Sequence, residues 1–251
     1  DLDPGEGFDR DIAVKVNVVE VLRRALAKAP WRRETVALGP NTDPYQRAEG
    51  RYRLMPGILK ALAERGTPAS ILTKGTLVRR DLPLIAELNR EVPISLAMSI
   101  AIHDESVAAS SEPGAPTAAA RLDTVRAAAD LGLRVEVFIM PVLPSLTDTR
   151  DHLERAATAV RAAGAGSAVF SSLHLRPGAK GWFLTWLRRE HPQLVDRYEA
   201  MYRESAYAPR DYRDWLSAKA LPILRSHGLA GVQARADRPA TGRRAAVQSS
   251  R

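Results

Sequence analysis

The chain has 251 residues, 45% hydrophobic and 26% charged, with a net charge of +8 and no cysteine. That length and composition suit one large soluble domain or two small ones, and the lack of cysteine excludes disulfides and any thiolate-held metal or cluster within these residues. No run approaches the ~18 to 20 continuous apolar residues of a membrane helix, and the polar, acidic stretch Asp1–Asp11 is unlike a signal peptide, so a cytoplasmic location without membrane contact is expected.

Strand and helix patterns alternate along the chain. Ile12–Val16 (IAVKV) is a first extended run. Thr35–Leu38, Ser70–Thr73, Ile94–Ile100, Arg134–Met140 and Ser167–Leu175 are further short β-branched or apolar runs of strand length. Tyr52–Arg65 reads as a helix ended by Gly66, with Pro56 kinking or restarting it. Another helix, from about Asp81 to Arg90, follows the Ser70–Thr73 run. In PTAAARLDTVRAAADLGL, Pro116 suits the first turn, Leu122, Val125 and Ala129 repeat at helical spacing, and Gly132 stops the pattern. In LTDTRDHLERAATAVRAAGAG, Thr147 or Asp148 is the expected cap and Leu153, Ala156, Ala157 and Val160 the buried face.

Toward the C-terminus, WFLTWLRREHPQLVDRYEAMYRESAYAPRDYRDWL spaces its aromatics at helical intervals among acids and bases. A packed helical extension fits this better than a surface for stacking nucleic-acid bases. The segment 230–251 carries five arginines against one aspartate and few large apolar residues, and reads as a disordered basic tail. Phosphate attraction by that tail ranks below its plain reading as a solvated terminus.

Strand–helix repeats of roughly 25 to 35 residues imply parallel strands, right-handed crossovers and outer helices, and a closed or nearly closed barrel fits best. In such a barrel ligands gather at the C-terminal strand ends. Those ends are polar here: Asn41, Thr42 and Asp43; Thr73 and Lys74; Ser99; the stretch from Pro141 to Asp148; then His174 and Arg176. Each has an ordinary reading, since Asp43 before Pro44 suits a turn, Lys74 before Gly75 suits a loop, and Ser99 can bond backbone. Their recurrence at the same end of successive strands is what points to one ligand site. The five histidines (His103, His152, His174, His191, His227) show no metal-binding spacing. GAGSAV lies at a helix-to-strand turn, the wrong context for a dinucleotide loop. Asp43 and Asp148 are ligand or cap candidates without a paired histidine for acid–base work.

Several strand-end stretches together carry a family resemblance: LGPNTDPYQRAEGRYRLMPGIL, SILTKGTLVRRDLPLI, LAMSIAIHDES, SEPGAPTAAARLDTVR, MPVLPSLTD and LHLRPGAKGWFLTWLRREHP. The chain from about Asp1 to Leu229 resembles a radical SAM protein of the branch similar to spore photoproduct lyase, especially its actinobacterial relatives of unassigned function. The resemblance implies an α/β fold, a partial (βα)6 TIM-type barrel of the radical SAM kind. It implies a [4Fe–4S] cluster held by a CxxxCxxC loop after the first strand, together with S-adenosylmethionine (SAM). The chain starts at Asp1 rather than Met and has no cysteine, so the expectation is a fragment whose cluster ligands lie outside it. Its strands would be the second to sixth of the barrel, with Ile12–Val16 a short extended segment before the first helix. The expected units are the core barrel 1–178, the helical extension 179–229 and the tail 230–251.

By the same resemblance, Asn41, Thr42 and Asp43 would bond the methionine amino group of SAM, to which they offer carbonyl, hydroxyl and carboxylate acceptors. Pro40 stands where relatives have Thr or another small residue. Lys74 would pair with the methionine carboxylate, and Ser99 would bond carboxylate or ribose. Pro141, Val142 and Leu143 would line adenine and ribose. His174 and Arg176 would close the adenine end or meet substrate, with a satisfied core histidine the other reading of His174.

The implied chemistry is reductive cleavage of SAM to a 5′-deoxyadenosyl radical, with a flavodoxin- or ferredoxin-like protein as reductant and an unknown substrate. DNA, the substrate of the lyase, is less favoured, because the lyase's additional radical-quenching cysteine has no counterpart here. Two rivals stand beside this reading. One is a non-catalytic barrel that binds SAM or a partner; the other is a cofactor-independent hydrolase or aldolase with Lys74 as a Schiff-base lysine.

Overall fold

Five of the apolar runs become strands lying side by side in chain order. The computed structural model describes residues 13–28, 30–101, 105–112 and 114–231. Its strands are β1 (Val36–Leu38), β2 (Ala69–Thr73), β3 (Ile94–Ser99), β4 (Val135–Val142) and β5 (Ser167–Ser172), each paired in parallel with the next. The helices are α1 (Val18–Leu26), α2 (Arg47–Tyr52), α3 (Met55–Ala63), α4 (Leu82–Leu88), α5 (Glu105–Ser111), α6 (Ala118–Asp130), α7 (Arg150–Ala162), α8 (Pro177–Glu190), α9 (Val195–Met201) and α10 (Arg210–Ser226). A 3-10 turn over Thr76–Asp81 leads into α4.

The parallel sheet is partial rather than closed, in keeping with the expected partial barrel. Among the described residues β1 and β5 are the outermost strands and do not pair with each other, so the sheet is open. β1 is short, and Ala37 at its centre is exposed. Ile12 lies outside the described residues, and 13–16 form no strand. At the other edge the Ala168 amide donates to Leu229 O at 2.9 Å, and Ala230 bridges in parallel to Ala168. The rest of the expected tail, 232–251, lies outside the described residues.

Helix boundaries follow local chemistry. The expected helix over Tyr52–Arg65 is divided into α2 and α3 by Arg53, whose φ of 50° is left-handed. Glu49 holds the break by accepting hydrogen bonds from the Leu54 (2.9 Å) and Met55 (3.1 Å) amides, donors that a helix start leaves unpaired. α6 starts at Ala118 rather than at Pro116, because Thr117 caps it through Ala120 N. α7 is capped by Thr149, not by Thr147 or Asp148. Thr147 Oγ1 instead accepts from Leu143 N, and Asp148 from Ser145 N.

The main core lies between the sheet and the helices, where inward residues alternate along β2 and β3 and meet Leu153, Ala156, Ala157 and Val160 of α7. Full burial of each large aliphatic side chain there is worth about 1.5–3 kcal/mol. α10 adds Leu216, Ala220, Ile223 and Leu224 to this core. A second core joins Phe183, Trp186 and Leu187 of α8 and Tyr198 of α9 to Tyr202, Leu143, Leu173 and Leu175. It sits behind the C-terminal ends of β4 and β5. The helices after Pro177 thus contribute to both cores.

Candidate functional site

Parallel pairing brings the C-terminal ends of all five strands to one edge. Asn41–Asp43 follow β1, Lys74 follows β2, Ser99 ends β3, Pro141 and Val142 end β4 with Leu143 just after it, and His174 and Arg176 lie beyond β5. The two last residues do not stand on a strand, as the length of the Ser167–Leu175 run suggests, because β5 stops at Ser172.

Two glycines let the loop after β1 lie directly on the end of β2. A Cβ at Gly39, whose φ is +118°, would stand 2.0 Å from Leu72 O, and one at Gly75 would stand 2.4 Å from Tyr45 O. Asp43 fastens this contact. Its Oδ1 accepts from Tyr45 N (2.8 Å) and Thr73 Oγ1 (2.5 Å), and its Oδ2 from Lys74 N (2.8 Å). The carboxylate therefore staples two strand ends together, while Asn41 and Thr42 stay exposed beside it.

Lys74 Nζ meets Glu112 Oε1 at 2.9 Å, and the lysine side chain is 48% exposed. Glu112 Oε2 accepts from Arg121 Nη2 at 3.0 Å. Arg121, 4% exposed, also donates from Nη1 to Ser99 O at 3.1 Å and from Nε to Pro116 O at 2.9 Å. A buried guanidinium needs such pairing, since its desolvation is otherwise uncompensated. Burial pushes the Glu112 carboxyl up, but the charges of Lys74 and Arg121 outweigh it and hold the group below the usual carboxylate range. One chain of contacts thus links Asp43, Lys74, Glu112, Arg121 and Ser99 across three strand ends.

The ends of β4 and β5 differ. The β4–β5 register shifts between Ile139 and Val142, a bulge that accommodates Pro141, which has no amide proton for the ladder. Val142 and Leu143 are 2% and 1% exposed, their side chains embedded in the two cores. Three tyrosine hydroxyls hold the loops beyond: Tyr198 donates to Pro144 O (2.8 Å), Tyr202 to Leu173 O (2.9 Å) and Tyr212 to Asp148 Oδ2 (3.0 Å). Burial raises all three hydroxyls well above the ordinary tyrosine range, so they remain donors. His174 stacks on Tyr207, ring centroids 4.0 Å apart and 10° from parallel. Burial, then the nearby Arg176 charge, lowers the His174 pKa from the ordinary histidine value. Arg176 is exposed at the start of α8. No group of three His, Asp or Glu among the described residues is placed to hold a metal.

A family model described as the Radical SAM superfamily matches residues 7–157. The chain belongs to the radical SAM superfamily. Uncharacterized proteins of Mycobacterium tuberculosis and Mycobacterium bovis are 52% identical to it over 231 residues, covering 92% of this chain and 68% of theirs. A spore photoproduct lyase mutant superposes with a TM-score of 0.58 at 14% identity, over 86% of this chain and 65% of that one. A further lyase variant, with bound AdoMet and dinucleoside spore photoproduct, gives a TM-score of 0.57 at 16% identity over the same shares. The chain thus spans about two thirds of each, and at these identities the lyase likeness bears on the fold alone. Within this radical SAM fold no helix among the described residues is long and apolar enough to cross a membrane.

Glu112 and Arg121 are absent from the sequence-derived site. Glu112 follows α5 in a loop that ends no strand, and nothing marks it. Arg121 left a signal, because it recurs with Val125 and Ala128 at helical spacing, and all three are buried. A cation on an apolar helix face implies a buried partner. The expected face of Leu122, Val125 and Ala129 is accordingly rotated, with Leu122 and Ala129 half-buried at its margin.

Proposed function

We propose that the C-terminal strand edge is the SAM-binding site of a radical SAM enzyme. The observation that carries this reading is Lys74, whose ammonium is held half-exposed at that edge beside the loop that Asp43 fastens. The donor set fits the methionine end of SAM: Asn41 and Thr42 offer an exposed amide oxygen and hydroxyl to an ammonium, and Lys74 offers a cation to a carboxylate. Ser99 is half-buried within the same chain of contacts. Asp43 acts by fixing the loop that carries Asn41 and Thr42, so its contribution is geometric. Pro141, Val142 and Leu143 would line adenine and ribose, and His174 and Arg176, beyond β5, would close the adenine end or meet substrate.

The cluster is a different case. A [4Fe–4S] centre needs thiolates, and none of the 251 residues is a cysteine, so no step through it is assigned to this chain. In the family reaction an electron enters the sulfonium and releases the 5′-deoxyadenosyl radical. These residues would bind and orient SAM at the edge and limit the access of water to it. The substrate and a flavodoxin- or ferredoxin-like electron donor belong to the same proposal, as does a location in the cytoplasm. Lys74 does not suit Schiff-base chemistry: that role calls for a desolvated amine, whereas Lys74 is half-exposed against a carboxylate.

The test is anaerobic iron and sulfide reconstitution of the product of the whole gene, followed by dithionite, SAM and chromatography. About four irons per chain and formation of 5′-deoxyadenosine are expected. A product that binds SAM but takes up no iron would establish a binding barrel instead.

A further inference from the structure

Glu112 holds two cations, one on each carboxylate oxygen. Oε1 takes Lys74 Nζ at 2.9 Å and Oε2 takes Arg121 Nη2 at 3.0 Å. The two halves differ in what their loss would strand. Arg121 is buried, and Glu112 is the carboxylate partner it has among the described residues, so breaking that half would leave a desolvated charge uncompensated. Lys74 is 48% exposed and can turn away into water, leaving the Glu112–Arg121 pair intact. The Lys74 half is therefore the exchangeable one, and it faces the edge where the ends of β1, β2 and β3 meet.

We propose that Glu112 is a positioning residue that serves as an internal stand-in for a ligand carboxylate. This rests on the reading of the strand edge as a SAM site. While the site lacks its ligand, Glu112 holds the Lys74 ammonium in place and Arg121 holds Glu112. When the ligand arrives, its carboxylate replaces Oε1 as the partner of Lys74, and Glu112 remains with Arg121. The exchange breaks one ion pair and forms another of the same kind, with no net proton transfer. A ligand lacking the carboxylate cannot compensate for the displaced Glu112–Lys74 pair, and so does not draw Lys74 away. The preference for a zwitterionic amino-acid end over a simple amine resides in Lys74, and Glu112 moderates it by competing for the same ammonium.

The test compares SAM with decarboxylated SAM by equilibrium dialysis on the product of the whole gene, as wild type, Glu112→Gln and Lys74→Ala. Gln keeps an oxygen for Arg121 and removes the competing charge. Surface-type ion pairs imply that Glu112→Gln should tighten SAM binding by about two- to fivefold and leave decarboxylated SAM unchanged. Weaker binding of SAM by Glu112→Gln, an unchanged affinity, or an equal shift for both ligands would overturn the stand-in role. If Lys74→Ala weakens SAM binding while Glu112→Gln fails to tighten it, the exchange is wrong and the site reading survives. If the wild type does not bind SAM, or Lys74→Ala leaves its affinity unchanged, the site reading fails and the exchange fails with it.

Discussion

Behind β2 and β3 the strand ends are joined by charged groups, Lys74, Glu112 and Arg121, with a half-exposed lysine at the outer end of the chain of contacts. Behind β4 and β5 they are held by the hydroxyls of Tyr198, Tyr202 and Tyr212, which reach in from the helices after Pro177. The first arrangement can exchange a partner without exposing a buried group. The second cannot, because Tyr198 and Tyr202 belong to a packed core, Tyr212 packs against it, and each hydroxyl reaches a fixed acceptor. Exchangeable charge thus lies on the β1–β3 side, and fixed packing on the β4–β5 side.

The largest expected effect breaks the rigid side. Tyr198→Ala removes a fully buried ring and should cost about 3–5 kcal/mol in urea unfolding, whereas Lys74→Ala should cost less than about 1 kcal/mol. Equal losses would show that the two sides do not differ as described.

Next is Arg121→Met, which leaves the Ser99 and Pro116 carbonyls without their guanidinium while Glu112 keeps Lys74. A loss of about 1–3 kcal/mol in the same measurement is expected. No loss would mean that Arg121 does not anchor the charged side.

The smallest effect sharpens the electrostatics. Glu112 titrates below its ordinary value of 4.5 in the folded chain, so the unfolded chain binds the proton more readily. The stability it contributes is fully present above pH 4.5 and is lost as the pH falls through the depressed folded value. The advantage of wild type over Glu112→Gln, followed by urea melts, should shrink as the pH drops below 4.5. An advantage that stays constant on acidification would argue against a charged Glu112.

How much of this was legible in the sequence follows from which interactions are local. β2 to β5 announced themselves because β-branched and apolar residues bounded by turn signals form buried strands, and parallel pairing then places their ends together. Asn41, Lys74 and Ser99 could therefore be brought to one edge from the sequence alone. The degree of closure is less legible, because it depends on edge pairing between residues far apart in the chain. The partner of Lys74 was hidden for the same reason: Glu112 lies 38 residues away in a loop and meets it only in the fold. The apolar Ser167–Leu175 run places His174 on a strand. Tertiary context ended β5 at Ser172, and His174 stacks on Tyr207 instead.

The most direct measurement is the affinity of SAM for the product of the whole gene, wild type against Lys74→Ala, by equilibrium dialysis with labelled SAM. A lost charge-assisted contact at a half-exposed site predicts a decrease of about tenfold for Lys74→Ala, with the fold unchanged by circular dichroism. Equal affinity in the two proteins would contradict the assignment of the strand edge as the SAM site.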